Sequence, residues 1–279
     1  MTRRLAPLVL VALAVAGCGG DRPVPAQAPP PPPPTPTPTP DAAAPLTPRT
    51  LAADLTATSH ALDSAIRMWR RDGDPATGDA PPAVATLAAR EARIHRTLAA
   101  HERLAKQTLR QTEPGIRTEA RDVIAARRAL GVLNRPRPGR KPPPIRTGRP
   151  EPADVLRAHY RAARARSGVR ISLLAAVNLV ESNFGRVRNH SVAGAQGPMQ
   201  FMPATWRSYG QGGDVQDPRD AILGAARFLA AAGARHDEAQ ALYRYNPSDL
   251  YVTAVQRYAH RMRTDPLAFY ALYASGATG

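Results

Sequence analysis

Residues able to do chemistry concentrate between Val177 and Trp206, in VNLVESNFGRVRNHSVAGAQGPMQFMPATW. An apolar helical run ends there on one carboxylate, Glu181, followed by a glycine-rich turn region and then by Pro203, which restarts a helix. A carboxyl group so placed ionises with difficulty. The apolar side disfavours the charged form, and the partial negative charge at a helix C-terminus disfavours it again. Both influences raise the pKa of Glu181, and a carboxylic acid that keeps its proton near neutral pH suits general-acid work.

The elements that must hold Glu181 read as helices throughout. A helix from about Ala153 to Arg166 stops at Ser167-Gly168. The next starts at Ile171, turns Leu173, Leu174, Val177 and Val180 inward and delivers Glu181. Pro203 opens a short helix that ends at Gly210, at a position that tolerates its missing N–H. Asp217-Pro218 is a cap followed by proline at the first helical position, opening a helix that Gly233 stops. A short helix from about Asp237 to Tyr243 leads into a Tyr245-Asn246-Pro247 turn, and Ser248 caps a last long helix with Tyr251, Val255, Tyr258 and Met262 on one stripe. A tail helix is expected around Pro266 to Tyr273. Capping and first-turn charge explain Asp217, Asp220 and Asp249, Asp237-Glu238 begin a helix, and Asp214 reads as a turn residue.

Residues 51–133 form a separate helical bundle or hairpin region. Leu51, Leu55, Leu62, Ile66 and Trp69 share one face, while Leu87, Ile94, Leu98, Ala105 and Leu109, then Ile116, Val123 and Leu130, recur by sevens and fours. Breaks at Asp72-Gly73-Asp74-Pro75 and Glu113-Pro114-Gly115 divide it into three helices. His95 and His101 lack a metal-ligand spacing and are expected on the solvated side. A spacer or partner-binding role is all that this region's sequence offers.

Residues 1–18 read as a lipoprotein signal peptide. Arg3 and Arg4 precede an apolar run too short to span a bilayer, and Val15-Ala16-Gly17-Cys18 reads as a lipobox that would make Cys18 the lipidated first residue. The rival reading is ordinary cleavage after Ala14-Val15-Ala16. Cys18 is the only cysteine, so no disulfide is possible within the chain. Residues 19–50 are a proline-rich linker, whose Pro23–Pro48 tract reaches about 80 Å if extended as polyproline II. Residues 134–152 are a second linker, basic and proline-rich, and residues 153–279 are the catalytic domain. The formal net charge is +16, carried almost wholly by arginine, since Lys106 and Lys141 are the only lysines. GC-rich coding and attraction to a polyanion explain that enrichment equally well. Without aromatics interleaved among the arginines, and without a zinc, RNA- or DNA-binding motif, nucleic acid is not the expected partner, and the cell envelope is favoured.

Three separated motifs then resemble a known family. Glu181-Ser182 with Phe184-Gly185, Gly194 through Pro203 (GAQGPMQFMP), and Tyr245-Asn246 stand in the order of the SLT-type lytic transglycosylase domain of the lysozyme-like superfamily, over roughly Ala153 to Thr264. The resemblance implies an all-α, lysozyme-like catalytic domain in an envelope lipoprotein that is extracytoplasmic, lipid-anchored to a membrane and bound to peptidoglycan glycan strands. It implies a glycosidic-bond lyase that cleaves the β-1,4 bond between N-acetylmuramic acid and N-acetylglucosamine and leaves 1,6-anhydromuramoyl ends. Glu181 would protonate the glycosidic oxygen and then accept the proton of the muramoyl C6 hydroxyl, which closes on C1. That route needs one carboxylate and no metal or organic cofactor, whereas a lysozyme-type hydrolase usually needs two carboxylates.

By position in the motifs, Ser191 would bond the muramoyl N-acetyl region, Gln200 and Tyr245 would line the cleft, and Asn246 would hold the Tyr245 loop or a sugar. Ser182 is counted with these substrate-binding residues, and would orient Glu181 or simply end the helix. Met202, with Met199 and Phe201, would pack under the glutamate or touch sugar. The family often shows Gly-Leu-Met where this chain has Gly197-Pro198-Met199, and Ala-Gly where it has Pro247-Ser248. A hydrolytic muramidase and an inactive peptidoglycan-binding lipoprotein are the alternatives.

Overall fold

The computed structural model of the chain describes residues 47–135 and 144–276. The expectations for residues 1–46, Cys18 and the proline tract among them, and for 136–143 fall outside the described residues. Eleven helices and no strand are found among those described: α1 (Pro48–Asp72), α2 (Pro82–Ala100), α3 (Glu102–Gln111), α4 (Pro114–Leu133), α5 (Ala153–Ser167), α6 (Ile171–Ser182), α7 (Pro203–Tyr209), α8 (Pro218–Ala231), α9 (Glu238–Tyr245), α10 (Asp249–Thr264) and α11 (Ala268–Ser275). The fold is the expected all-α one. None of these helices is long and apolar enough to cross a membrane.

Local chemistry sets most helix starts. Proline occupies the first turn of α1, α2, α4, α7 and α8, where its missing N–H costs nothing. Asp217, Asp237 and Ser248 accept backbone N–H bonds at the heads of α8, α9 and α10. Gly168 ends α5 in a left-handed conformation, φ 74°.

Residues 51–133 hold four helices rather than three. The unforeseen break is at His101, an extended residue (φ −124°, ψ 92°) between α2 and α3 with neither glycine nor proline to announce it. His95 is also not solvated: it is 6% exposed, and burial beside Arg127 and Arg261 drives its pKa down to about 3.

The apolar stripes read from the sequence of residues 51–133 are buried, save Leu87 and Leu130, which are partly covered, but they serve two clusters. Leu51, Leu55, Ile94, Leu98, Leu109 and Ile116 pack among α1–α4. Leu62, Ile66, Trp69, Val84 and Val123 instead join the core of α5–α11, with Trp69 edge-on to Tyr270 at 5.7 Å. Thus α1–α4 and α5–α11 lie in one compact unit. Helix α10 packs most extensively on α4 and α6. Asp122 on α4, 4% exposed, takes His260 at 2.6 Å and Arg257 at 3.2 Å from α10. Arg261 on α10 reaches Glu119 at 2.9 Å.

Part of the second linker is pinned to the loop that follows α6. Gly148 N donates to Arg186 O at 2.8 Å, Arg188 N donates to Arg146 O at 2.9 Å, and Thr147 bridges Val187 in antiparallel fashion. Asn189 closes the far end, its Oδ1 accepting from Arg146 N at 2.5 Å and its Nδ2 donating to Pro144 O at 3.0 Å. Residues 144–149 are therefore a strap on the loop that follows α6.

Candidate active site

Helix α6 is apolar nearly all round, as a helix at the centre of a core must be. Leu173 through Val177 are buried without interruption, whereas Leu179 and Val180 are only partly covered as the helix nears the surface. Glu181 is thereby carried to the half-buried end of an apolar rod.

Its surroundings act on its proton in two opposed ways. Burial raises the Glu181 pKa to about 7, against the pull of the Tyr251 hydroxyl, which donates to Oε1 at 2.7 Å and favours the carboxylate. No second carboxylate contributes to the shift. Three acids that follow in the chain have other partners: Asp214 accepts from Gln216 N at 2.8 Å, Asp217 from Asp220 N at 3.0 Å, and Asp220 from Asp214 N at 3.0 Å. Tyr251 is 1% exposed and its ring stacks on that of Tyr245, centroids 6.4 Å apart and planes 2° from parallel. Burial first and the nearby Glu181 second hold both phenols protonated far above their ordinary pKa, so each is a fixed donor. Tyr245 donates to Met199 O at 2.6 Å. It is the last residue of α9 and not part of a turn, because that helix runs two residues further than expected.

The chain reverses sharply after Glu181. Asn183, Phe184 and Gly185 all lie in the left-handed region, at φ 53°, 60° and 82°. Two of the three carry side chains, and such backbone persists only where neighbours fix it. Phe184, 1% exposed, is locked at 5.3 Å from Phe269, and Asn183 Nδ2 donates to Gly276 O at 3.2 Å. Ser182 lies beneath this reversal. Its hydroxyl donates to Pro198 O at 2.5 Å and accepts from Gly185 N at 2.8 Å. At 1% exposure Ser182 cannot meet a ligand, so the expectation of a substrate contact is corrected: it ties the Glu181 turn to the 196–201 loop. Asn178, wholly buried one turn earlier, donates to Pro198 O at 2.8 Å and accepts from Tyr160 at 2.6 Å.

The 196–201 loop is a tight reversal in which Gln196 and Phe201 exchange backbone hydrogen bonds at 2.9 and 2.8 Å. Gly197 has φ 71°, and a Cβ there would stand 1.8 Å from Val215 O, so only glycine fits. Gln200, at φ 49°, spends its amide nitrogen on Gly197 O (2.9 Å) and Asn189 O (3.3 Å) and is half-buried. Met199 and Phe201 are buried, the latter 5.2 Å from Trp206, while Met202 is 42% exposed at the head of α7. Ser191 is exposed and closes its own loop, accepting from Ala195 N at 2.9 Å. Asn246 is half-buried at the C-cap of α9.

The structure thus brings Glu181, Tyr245 and the 196–201 loop together, and uses Ser182 as a brace. Sequence reading missed Tyr251, assigned only to an apolar stripe, and Asn178, an amide four residues before Ser182 in an otherwise apolar helix. That isolated polar residue was the available signal. Among the described residues no group of three or more His, Cys, Asp or Glu side chains is placed to hold a metal ion.

Residues 159–266 match the family described as Transglycosylase SLT domain. No curated protein and no solved structure matches the chain. The matched segment contains Glu181, Tyr245 and Tyr251, and it begins within α5, after α1–α4 and the strap.

Proposed function

We propose that the chain, whose residues 159–266 match the Transglycosylase SLT domain family, is a lytic transglycosylase in which Glu181 serves as acid and then as base. The observation that carries the reading is a lone carboxylic acid with a pKa of about 7, steadied by Tyr251 and with no second carboxylate acting on it.

In the proposed cycle protonated Glu181 gives its proton to the glycosidic oxygen between N-acetylmuramic acid and N-acetylglucosamine, and the bond to muramoyl C1 breaks. The Tyr251 hydroxyl bonds the carboxylate that results. Glu181 then takes the proton of the muramoyl C6 hydroxyl as that oxygen bonds to C1, which restores the acid and leaves a 1,6-anhydro end. A pKa near the working pH lets one group perform both transfers. The free hydroxyl hydrogen of Ser191, the amide of Asn246, the exposed thioether of Met202 and Oε1 of Gln200 are the groups we assign to sugar contact, with Tyr245 as the wall beside the acid. Residues 1–50 are proposed to tether the enzyme to a membrane through lipid on Cys18; the mass of the mature N-terminal peptide tests this, since an unmodified Cys18 refutes it.

Digestion of purified sacculi, followed by mass spectrometry, tests the reaction. Anhydromuramoyl ends that vanish in Glu181→Gln support it. Reducing ends would mean a muramidase, and no cleavage by the parent a glycan-binding protein.

A further inference from the structure

The loop leaving Glu181 buries a guanidinium that no carboxylate touches, although Asp79 acts on it from a distance. Arg186 is 7% exposed; its Nη1 donates to Asn183 O at 3.3 Å, and its Cζ stands 4.5 Å from the centre of the Tyr273 ring. No carboxylate pairs with it among the described residues. A guanidinium has five N–H donors in a fixed fork, and apart from the bond to Asn183 O and the Tyr273 ring those of Arg186 are left to whatever enters beside it.

Arg186 lines a groove of about 500 Å³ formed by the 183–187 loop and the strap, and Asp79, Ile145 and Arg149 belong to the same lining. Asp79 and Arg149 meet at 2.7 Å on the rim, with side chains 62% and 71% exposed, and Ile145 is 72% exposed. The groove therefore offers a buried cation at its base, a carboxylate and a second cation at its mouth, and apolar surface between. A phosphodiester polymer has no ammonium for Asp79 and no use for the apolar wall. A short peptide bearing carboxylates and an amine matches all three. The groove is also close in sequence to the chemistry, since Arg186 follows Glu181 by one turn of loop and the strap is fixed to that loop.

We propose that this groove binds the peptide stem carried by the glycan substrate, with a stem carboxylate on the Arg186 fork and a stem amine facing Asp79. The proposal rests on the peptidoglycan reading above and extends it: substrate is held by its peptide as well as by its sugars, through a strap that lies outside the matched domain.

The test compares glycan strands with their stems intact and the same strands stripped by an amidase, alongside titration of the full chain with the released stem peptide. Intact strands should show a KM about tenfold lower than stripped ones, the value of one charge-assisted bidentate contact. Ile145→Glu, which adds a repelling carboxylate at an exposed position, should bring that ratio towards one and weaken the peptide titration. Arg186→Lys should do so in part, because it keeps the charge and loses the fork. Equal KM on the two strands, or peptide binding indifferent to Ile145→Glu, overturns the proposal while leaving the cleavage reaction standing. Binding of polyglycerol phosphate at the same residues in place of the peptide overturns it as well. If neither strand is cleaved, the function reading fails and the peptide titration alone decides the groove.

Discussion

Glu181 keeps its proton to about pH 7 in the folded chain, against 4.5 for an ordinary glutamate. The sign of the linkage follows. Between those values the unfolded chain releases the proton and the folded one retains it, so stability falls as pH rises and the penalty is complete above pH 7. Glu181→Gln should accordingly unfold at higher denaturant than the parent at pH 8, by on the order of 1 to 3 kcal/mol, and match it at pH 4. Equal stabilities at pH 8 would mean that the acid is well hydrated. Tyr251→Phe removes the one hydrogen bond that favours the carboxylate, so the Glu181 pKa moves further up. Its pH–rate profile should keep activity to higher pH while the maximal rate drops about tenfold. A profile unmoved by the substitution would separate Tyr251 from the proton transfers.

At the scale of elements, the site depends on holding the end of α6 against a loop that returns only after residue 196. Ser182 and Asn178 do this through Pro198 O, and Ser182 also satisfies Gly185 N in a left-handed turn. Ser182→Ala leaves that N–H buried without a partner, so a loss of about 1 to 2 kcal/mol is expected by chemical denaturation. Cleavage should fall further than stability, since the same bonds aim Glu181; a variant as active as the parent would show that the turn holds itself.

The whole molecule joins α1–α4 to the matched domain through shared core and not through a flexible hinge. Trp69 lies against Tyr270 of α11, Asp122 of α4 takes two side chains of α10, and Leu62, Ile66 and Val123 belong to the core that also holds Tyr251. A chain starting at residue 144 would uncover those faces of α10 and α11, each buried apolar side chain being worth about 1.5 to 3 kcal/mol. It should therefore lose its cooperative thermal transition, and a sharp transition near that of the full chain would show α5–α11 to be self-sufficient. The packing of α4 on α10 also gives the first helices a task that a spacer would not have, because α10 carries Tyr251 to Glu181.

Much of this was legible in local sequence. Proline at helix starts, Asp217, Asp237 and Ser248 at caps, and the heptad recurrence of Leu, Ile and Val reflect interactions within a few residues, which one segment specifies alone. The raised pKa of Glu181 was legible for the same reason, since an apolar helix ending on a carboxylate needs no knowledge of its neighbours. The break at His101, the burial of His95, the brace made by Ser182 and the donor Tyr251 were not. Tyr251 is 70 residues from Glu181, and a tyrosine on an apolar stripe looks alike whether its hydroxyl meets solvent or an acid. The strap was read as solvated linker because its proline and arginine content describes what it cannot bury, whereas its backbone pairing with residues 186–188 is decided by which loop lies beside it. Sequence alone determined most of the helices and the proton-retaining carboxyl at the end of α6; only tertiary packing decided what faces that carboxyl, because a hydrogen bond between distant segments exists only once the core has fixed their distance.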